Sequence, residues 1–241
     1  MELKVLTREE VNEAVANEFI HLINKKERPI LGLATGSTPL GVYACLVDAC
    51  KKNKVSFRHV ETFNLDEYVG LNEEHDQSYR YFMNHNLFNL VDIDVNKTSI
   101  PSDKIDSENH YSKYDEKIKN HGGIDIQLLG IGSNGHIAFN EPGTSFDSLT
   151  HIVELKESTI KDNSRFFKSI NDVPTKAISM GLKSIMNARR IILIAFGENK
   201  AKAIRDLFYN EPSIDLPASV LRNHDNVIIY CDKEAASLLN K

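Results

Sequence analysis

The chain contains few cysteines and no long hydrophobic run. Its 241 residues include only Cys45, Cys50 and Cys231, an odd number without CxxC spacing. This usage is typical of a reduced, cytoplasmic protein. No apolar run approaches the roughly 18 residues of a transmembrane helix, and the opening residues MELKVLTREEVNEAV lack the apolar core of a secretory signal. We therefore expect a cytoplasmic protein without a membrane partner.

An excess of positive charge and a flexible linker are missing as well. The 29 basic and 34 acidic residues give a net charge of -5, which argues against non-specific nucleic-acid binding because that needs a basic face. No stretch rich in Pro, Gly or Ser divides the chain. We therefore predict one domain over residues 1–241 and no nucleic-acid partner.

What the sequence does contain is an alternation of apolar runs and helical patterns. We predict strands at residues 4–6, 29–34, 60–65, 124–129, 190–196 and 226–230. We predict helices at residues 8–25, 39–52, 77–88, 199–208 and 233–239. This pattern indicates an α/β fold with a single doubly wound, mostly parallel sheet and helices on both faces. The less regular, more polar segment 150–177 is predicted to be a lid, folded as a hairpin or a helical flap.

The stretch GIGSNGHIAFNEPG, residues 130–143, follows a predicted buried strand. GIGSNG matches the dinucleotide fingerprint GxGxxG, and Glu154 lies about 20 residues on, where that fingerprint has its acidic residue. The fingerprint also requires a helix that opens at the third glycine. Here Pro142 and Gly143 indicate a loop, so the sequence disfavours dinucleotide binding.

His136 in this loop is the predicted acid–base group. An imidazole both donates and accepts protons near neutral pH, and Asn134 or Glu141 is placed to hydrogen-bond one ring nitrogen and fix the tautomer. A metal role is disfavoured because no second His or Cys lies nearby at ligand spacing. The absence of a GxSxG motif argues against a hydrolase serine.

The turn in LGLATGSTPLG predicts an anion site. Gly36 allows positive φ and a close backbone approach to a ligand, and Ser37 and Thr38 offer hydroxyls. We predict Thr38 as the N-cap and Pro39 as the first residue of the next helix, whose N-terminus favours anions. An ordinary capped turn without a ligand is the alternative.

Other charged residues lie where ligand contacts are expected. Arg165 and Lys200 offer cations to a phosphate, although each also fits a solvated surface charge. Asp66 and Glu67 follow a predicted strand, and since adjacent residues face opposite ways, only one of them is expected to enter the site. Asp66 is suited to moving a proton between neighbouring carbons, and capping of the following loop is its alternative role.

Six motifs together resemble one family. In chain order they are LGLATGSTP, FNLDEYVG, QSYRYFM, GIGSNGHIAFNEPG, DNSRFF and GENKA. In these motifs, over nearly the whole chain, the sequence resembles the glucosamine-6-phosphate deaminases of the NagB type. NLDEY combined with GHIAFNEPG is specific, whereas TGSTP is shared with related sugar-phosphate enzymes. The resemblance implies a Rossmann-like fold of the NagB and ribose-5-phosphate isomerase type.

The resemblance also implies an activity and residue roles. The family converts glucosamine 6-phosphate, a small sugar phosphate, and water to fructose 6-phosphate and ammonia, without metal or organic cofactor. Asp66 would carry the proton between C2 and C1. His136 would open the pyranose ring, oriented by Asn134 and Glu141. The phosphate would be held by Gly36, Ser37, Thr38, Arg165 and Lys200.

Two departures from the family pattern bear on regulation. Asn134 stands where many members have Asp, and it cannot stabilise an imidazolium by charge, so we expect activity with an altered pH profile. The chain also ends soon after its last strand, and it has His151 and Val153 where the allosterically activated hexamers have basic residues. We therefore expect a monomer or small homo-oligomer with hyperbolic kinetics and no activation by N-acetylglucosamine 6-phosphate.

Two other functions compete with this one. A 6-phosphogluconolactonase would share the phosphate turn and a Gly-His loop, but it does not usually carry NLDEY or FNEPG. A non-catalytic sugar-phosphate sensor would need only the phosphate turn. The presence of Asp66, His136 and Glu141 together therefore favours an enzyme.

Overall fold

The computed structural model describes residues 1–102, 110–155, 167 and 169–239. Its strands are β1 (Glu2–Val5), β2 (Ile30–Leu33), β3 (Glu61–Asn64), β4 (Asp66–Tyr68), β5 (Thr98–Ser99), β6 (Ile126–Leu129), β7 (His151–Glu154), β8 (Lys176–Ser179), β9 (Ile191–Ala195) and β10 (Val227–Cys231). Its α-helices are α1 (Arg8–Lys25), α2 (Leu40–Lys51), α3 (Tyr79–Asn86), α4 (His110–Asn120), α5 (Leu182–Met186) and α6 (Ala201–Tyr209). Within the described ranges, none of the helices is both long and apolar enough to cross a membrane.

The main sheet has seven strands in the order β1-β10-β9-β6-β2-β3-β5. Every neighbouring pair in it is parallel, which confirms the predicted doubly wound, mostly parallel sheet. From β2 the chain builds outward through β3 and β5, and from β6 it builds the other way through β9 and β10. The strand order thus reverses between β2 and β6, which is where open α/β sheets bind ligands.

Helices cover both faces of this sheet, as predicted. One face packs against α1, α2 and α3 through side chains such as Phe19, Leu46 and Met83. The other face packs against α4, α5 and α6 through side chains such as Ile118 and Ile204. Because both faces are covered, the inner strands β2, β9 and β10 are continuous apolar runs, and all three are fully buried.

The first helix shows how sequence sets local structure. Thr7 and Glu10 form a capping box, in which each side chain accepts the other's backbone N–H, so α1 begins at Arg8 as predicted. Four of its buried residues recur every four positions and form one apolar stripe: Val11, Val15, Phe19 and Ile23.

A second, smaller sheet is antiparallel and has the order β4-β8-β7. Ser179 in β8 lies opposite Asp66 on one side and His151 on the other. The ends of the predicted lid segment 150–177 therefore pair as strands. Residues 156–166 and 168 lie outside the described residues, so the lid role stays a prediction, as do the single-domain bounds 1–241.

Two secondary-structure expectations need correction. The predicted helix at residues 233–239 is wrong, because this segment forms turns, with the Asp232 carboxylate accepting the Ala235 N–H at 2.8 Å. Seven residues are too few to form a stable helix without strong packing support. In addition, α4 is a helix that the sequence did not indicate, because its polar sequence shows little apolar periodicity.

Candidate active site

The candidate site lies at the carboxyl ends of four neighbouring strands. The segments after β9, β6, β2 and β3 carry, respectively, Lys200, His136, the Gly36 turn and Asp66. Since parallel strands end at the same edge of a sheet, the topology places these predicted residues along one edge, beside the point where the strand order reverses. Arg165, also predicted for the site, lies outside the described residues.

The turn after β2 has the backbone that the anion-site prediction needs. Gly36 has φ +90° and is exposed, and a side chain there would meet no neighbouring atom. The capping prediction is wrong, however: Pro39 occupies the N-cap with helical backbone angles, α2 begins at Leu40, and no side chain caps the helix. Because the described residues leave the Ser37 and Thr38 hydroxyls without a hydrogen bond, both remain available to a ligand.

Lys200 approaches the same edge from the other side of the sheet. It ends a 3₁₀ turn, Glu198–Lys200, that follows β9 and leads directly into α6. Its ammonium is half-buried and forms no ion pair with any described residue, and burial lowers its pKa. A desolvated cation without a carboxylate partner is suited to an anionic ligand.

Asp66 is a buried carboxyl group in β4. It is 7% exposed, and none of the described residues donates a hydrogen bond to its carboxylate. Burial raises the pKa of Asp66 to about 8, and the neighbouring charge of Glu67 adds to this effect. A carboxylate with a pKa near the working pH is well suited to taking up and returning a proton.

Glu67 points elsewhere, as expected for adjacent residues of a strand. Its carboxylate accepts backbone N–H groups at the beginning of α3, at 2.9 Å from both Tyr79 and Arg80. The sequence contained no signal for this arrangement, because the contact joins two elements whose relative placement depends on the whole fold.

His136 belongs to a chain of three polar side chains. Asn134 Oδ1 lies 2.7 Å from His136 Nδ1, and Asn134 Nδ2 donates to Glu141 Oε2 at 2.8 Å. Since an ionised carboxylate only accepts hydrogen bonds, Glu141 fixes the amide with its oxygen toward the histidine. Nδ1 of a neutral His136 then carries the proton, and Nε2 on the opposite side of the ring is the basic nitrogen.

Glycines shape the loop that holds this histidine. The His136 ring lies directly over Gly132, where a Cβ would overlap the Cε1 and Nδ1 atoms of the ring. Gly135 has φ +81° and packs against Leu216. The predicted absence of a helix after Gly135 is confirmed, so the GxGxxG match shapes a histidine loop rather than a helix start.

Two buried polar residues missed by the sequence analysis fix the end of this loop. Asn140 Nδ2 donates to the carbonyl oxygens of Ile137 at 3.0 Å and Met180 at 2.8 Å. Ser179 Oγ accepts the Phe139 N–H at 3.1 Å. Through these bonds the loop is attached to the β8 segment, whose Ser179 is also paired with Asp66. An Asn inside a Gly- and Pro-containing turn was the available signal.

Replacing Gly132 with Ala should lower kcat about tenfold, because the added methyl group must push the His136 ring out of place. Gly130→Ala is the matched control, since a Cβ at Gly130 meets no neighbouring atom, and neither glycine has positive φ. Steady-state kinetics and thermal melts of both variants measure the effect. Equal kcat values for the two variants would contradict this role of Gly132.

Sequence comparisons relate the chain to sugar-phosphate enzymes. Residues 5–230 match the family described as glucosamine-6-phosphate isomerases/6-phosphogluconolactonase. A glucosamine-6-phosphate deaminase of Clostridium botulinum (strain Eklund 17B) is 50% identical, over 99% of this chain and 97% of that protein. The glucosamine-6-phosphate deaminase of Malacoplasma penetrans is 48% identical, over 95% and 96%.

Solved structures match the chain both at high and at low sequence identity. A monomeric glucosamine-6-phosphate deaminase matches with a TM-score of 0.94 and 42% identity, covering 99% of this chain and all of that one. The 6-phosphogluconolactonase of Thermotoga maritima matches with a TM-score of 0.75 and 20% identity, over 96% of this chain and 99% of that one. At that identity the lactonase shares the fold alone.

Proposed function

This chain belongs to the glucosamine-6-phosphate isomerase/6-phosphogluconolactonase family, and we propose that it is a glucosamine-6-phosphate deaminase. The reaction converts D-glucosamine 6-phosphate and water to D-fructose 6-phosphate and ammonia. The observation that carries this choice is the 50% identity, over nearly the full length, to a protein of that name. The 6-phosphogluconolactonase of Thermotoga maritima is 20% identical.

The phosphate group of the substrate binds at the turn after β2. The backbone of Gly36 and the hydroxyls of Ser37 and Thr38 contact its oxygens, and the N-terminus of α2 adds a favourable dipole. Lys200 supplies a positive charge from the opposite side, and Arg165 is proposed as a second cation. These contacts with the phosphate hold the sugar between His136 and Asp66.

His136 opens the pyranose ring. Nε2 takes the proton from the hydroxyl on C1 and delivers it to the ring oxygen, so that the C1–O5 bond breaks and an aldehyde forms at C1. Asn134 and Glu141 hold the imidazole in the required tautomer through the bonds at 2.7 Å and 2.8 Å. The proton returns to the sugar, and His136 ends the step neutral.

Asp66 then transfers a proton between carbons. Its carboxylate removes the proton from C2 and returns it to C1, while a second proton passes from the amine nitrogen to O1. The aldehyde at C1 thereby becomes a hydroxymethyl group, and the amine on C2 becomes an imine. Water hydrolyses the imine to the ketone of fructose 6-phosphate and releases ammonia. Each of these steps is acid–base chemistry, so we propose that the reaction requires no cofactor.

One assay tests the function directly. Purified protein is mixed with D-glucosamine 6-phosphate, and ammonia and fructose 6-phosphate are measured by separate coupled reactions. We expect the two products in equal amounts. Hydrolysis of 6-phosphogluconolactone is measured in parallel, and lactonase activity without ammonia release would assign the chain to the other branch of the family.

Replacing Lys200 with Met should raise KM for glucosamine 6-phosphate roughly 10- to 100-fold with a smaller change in kcat. Hydrogen bonds to charged groups contribute about 1.5–3 kcal/mol, and a uniform loss of binding appears in KM. Lys202→Met is the control, because Lys202, in the first turn of α6, is exposed and pairs with Asp206 at 2.7 Å. An unchanged KM in Lys200→Met would remove Lys200 from the site.

We also propose a monomer or small homo-oligomer with hyperbolic kinetics, located in the cytoplasm. The monomeric deaminase structure that matches with a TM-score of 0.94 supports the small assembly. All three cysteines are free thiols, as expected in a reducing compartment. Sedimentation velocity and rate curves with and without N-acetylglucosamine 6-phosphate test the assembly and kinetics. Sigmoidal curves relieved by that compound would contradict them.

A further inference from the structure

Glu67 is a buried carboxylate that the proposed mechanism does not use. Its Oε1 accepts the backbone N–H groups of Tyr68 and Tyr79, both at 2.9 Å, and its Oε2 accepts that of Arg80, also at 2.9 Å. Tyr79 and Arg80 begin α3, and the first N–H groups of a helix have no partner within it. One carboxylate therefore joins β4 to the N-terminus of α3.

This connection bears on Asp66 because, within the described part of the chain, β4 has a single neighbouring strand. It forms the edge of the small sheet, paired with β8 through Asp66 and Ser179. With Glu67 turned toward α3, the side chain of Asp66 must point to the other side of the strand. A loose edge strand of three residues would leave that carboxylate without a defined position.

We propose that Glu67 is the positioning residue for Asp66: it anchors β4 to α3 and so holds the Asp66 carboxylate in place for proton transfer. The inference rests on the proposed function, since it assigns Glu67 to the reaction that Asp66 performs. The DEY part of the NLDEY motif therefore holds two carboxylates with different roles. Asp66 transfers the proton, and Glu67 keeps Asp66 in position.

The charges around Asp66 give this proposal an electrostatic signature. Tyr79 of α3 and Tyr114 of α4 also face Asp66, but burial raises the pKa of both phenols, so they remain neutral. Arg80 contributes a positive charge beside Glu67 and Tyr114. The charge of Glu67 raises the pKa of Asp66. Removing it should therefore lower that pKa and keep the base form of Asp66 to lower pH.

Two substitutions at Glu67 separate its effect on the position of Asp66 from the effect of its charge. Glu67→Gln keeps the size but turns an amide NH2 toward backbone donors, and it removes the charge. We expect kcat to fall roughly 10- to 100-fold, as for a misplaced catalytic group, with KM within about twofold. The acid limb of kcat/KM should move to lower pH. Glu67→Asp keeps the charge but shortens the reach, so kcat should fall without a shift of the limb.

Ser78→Ala is the matched structural control. Ser78 caps the same end of α3 by accepting the Tyr81 N–H at 2.9 Å, and it has no part in the proposed chemistry. We expect this variant to melt at lower temperature with wild-type kcat and pH profile. If it reproduced the kinetics of Glu67→Gln, the effect would be one of helix capping, and the proposal would be wrong.

The remaining outcomes are equally decisive. A folded Glu67→Gln protein with wild-type kcat and pH profile would overturn the proposal. If Glu67→Gln does not fold by circular dichroism, a wild-type kcat in Glu67→Asp would overturn it instead. An inactive wild-type protein would overturn the deaminase function together with this inference, whereas an active wild type with unaffected variants would overturn the inference alone.

Discussion

The Asp66→Asn variant should release ammonia from glucosamine 6-phosphate roughly 10²- to 10⁴-fold more slowly than the wild type, the usual contribution of a general base. Asn has nearly the same shape but cannot accept the C2 proton, so KM should change little. Initial rates of ammonia formation at saturating substrate measure the effect. A variant with wild-type kcat would remove Asp66 from the reaction.

The pH dependence of the wild-type protein provides a second measurement of the same group. Burial, with the neighbouring charge of Glu67, raises the pKa of Asp66 to about 8. Because the ionised form is the base, kcat/KM should rise with pH up to about 8 and then level off. The measurement is kcat/KM from pH 6 to 9.5. A kcat/KM that stays constant across this range would contradict the raised pKa of Asp66.

The same raised pKa makes Asp66 costly for stability at alkaline pH. The carboxyl has an ordinary pKa of 3.8 in the unfolded chain and a value of about 8 when folded. Between these values the folded protein binds the extra proton, so stability falls as pH rises. Asp66→Asn removes this penalty, and its melting temperature should exceed that of the wild type increasingly from pH 4 to 8. A variant that melts below the wild type at pH 9 would contradict the burial argument.

The sequence could predict where the candidate site lies because the fold is organised by strand ends. Apolar runs located the main strands, and the residues that follow them, among them Asp66 and His136, are the ones placed along one edge of the sheet. The alternation of strands and helices was enough to predict a parallel sheet, and in such a sheet all carboxyl ends share an edge. The order of the strands was not needed for that conclusion.

What the sequence could not predict depends on contacts between distant segments. The small sheet consists of strands of three or four residues, which are too short to show a periodic pattern. The pairing of Asp66 with Ser179 therefore could not be predicted from the sequence. Helix α4 was missed because its sequence is polar: of its described side chains, at residues 113–120, Tyr114 and Ile118 are the two that face the core. The bonds from Glu67 to α3 likewise require knowing where α3 begins in space.

The N-terminus of α2 illustrates a smaller failure of local rules. Thr38 followed by Pro39 is a good match to an N-cap and first helical residue, yet α2 starts one residue later. Capping preferences describe an isolated helix end, whereas this end follows a turn in which Gly36 has positive φ. If Ser37 and Thr38 bind a phosphate, their hydroxyls hydrogen-bond the ligand and not the N-terminus of the helix. Such a conflict between local preference and ligand binding is common at functional sites.

The His136→Ala variant should lower kcat/KM on glucosamine 6-phosphate by roughly 10²- to 10⁴-fold, because no other group is proposed to move the proton from O1 to the ring oxygen. The defect should disappear for substrate that is already open. Rapid mixing with substrate enriched in the aldehyde form should give a burst whose size equals the open fraction. His59→Ala removes an exposed imidazole elsewhere and should behave as wild type. A missing burst would assign His136 to a later step.

The residue at position 134 lies directly beside the His136 ring. Asn134 offers a neutral oxygen at 2.7 Å from Nδ1, which fixes the tautomer, and Glu141 Oε1 provides a negative charge farther away, at 3.6 Å from the same nitrogen. Asn134→Asp adds a second and closer negative charge, so the histidine should titrate at higher pH than in the wild type, and less of the basic Nε2 form should exist at neutral pH. A ¹⁵N NMR titration of the imidazole checks this shift.

The same substitution should also weaken the orientation of the ring. Because Glu141 would then face a second carboxylate, the hydrogen bond at 2.8 Å that now orients Asn134 should be lost, and ring opening should slow at neutral pH. Unchanged titration and rate would show that the amide acts only as a spacer.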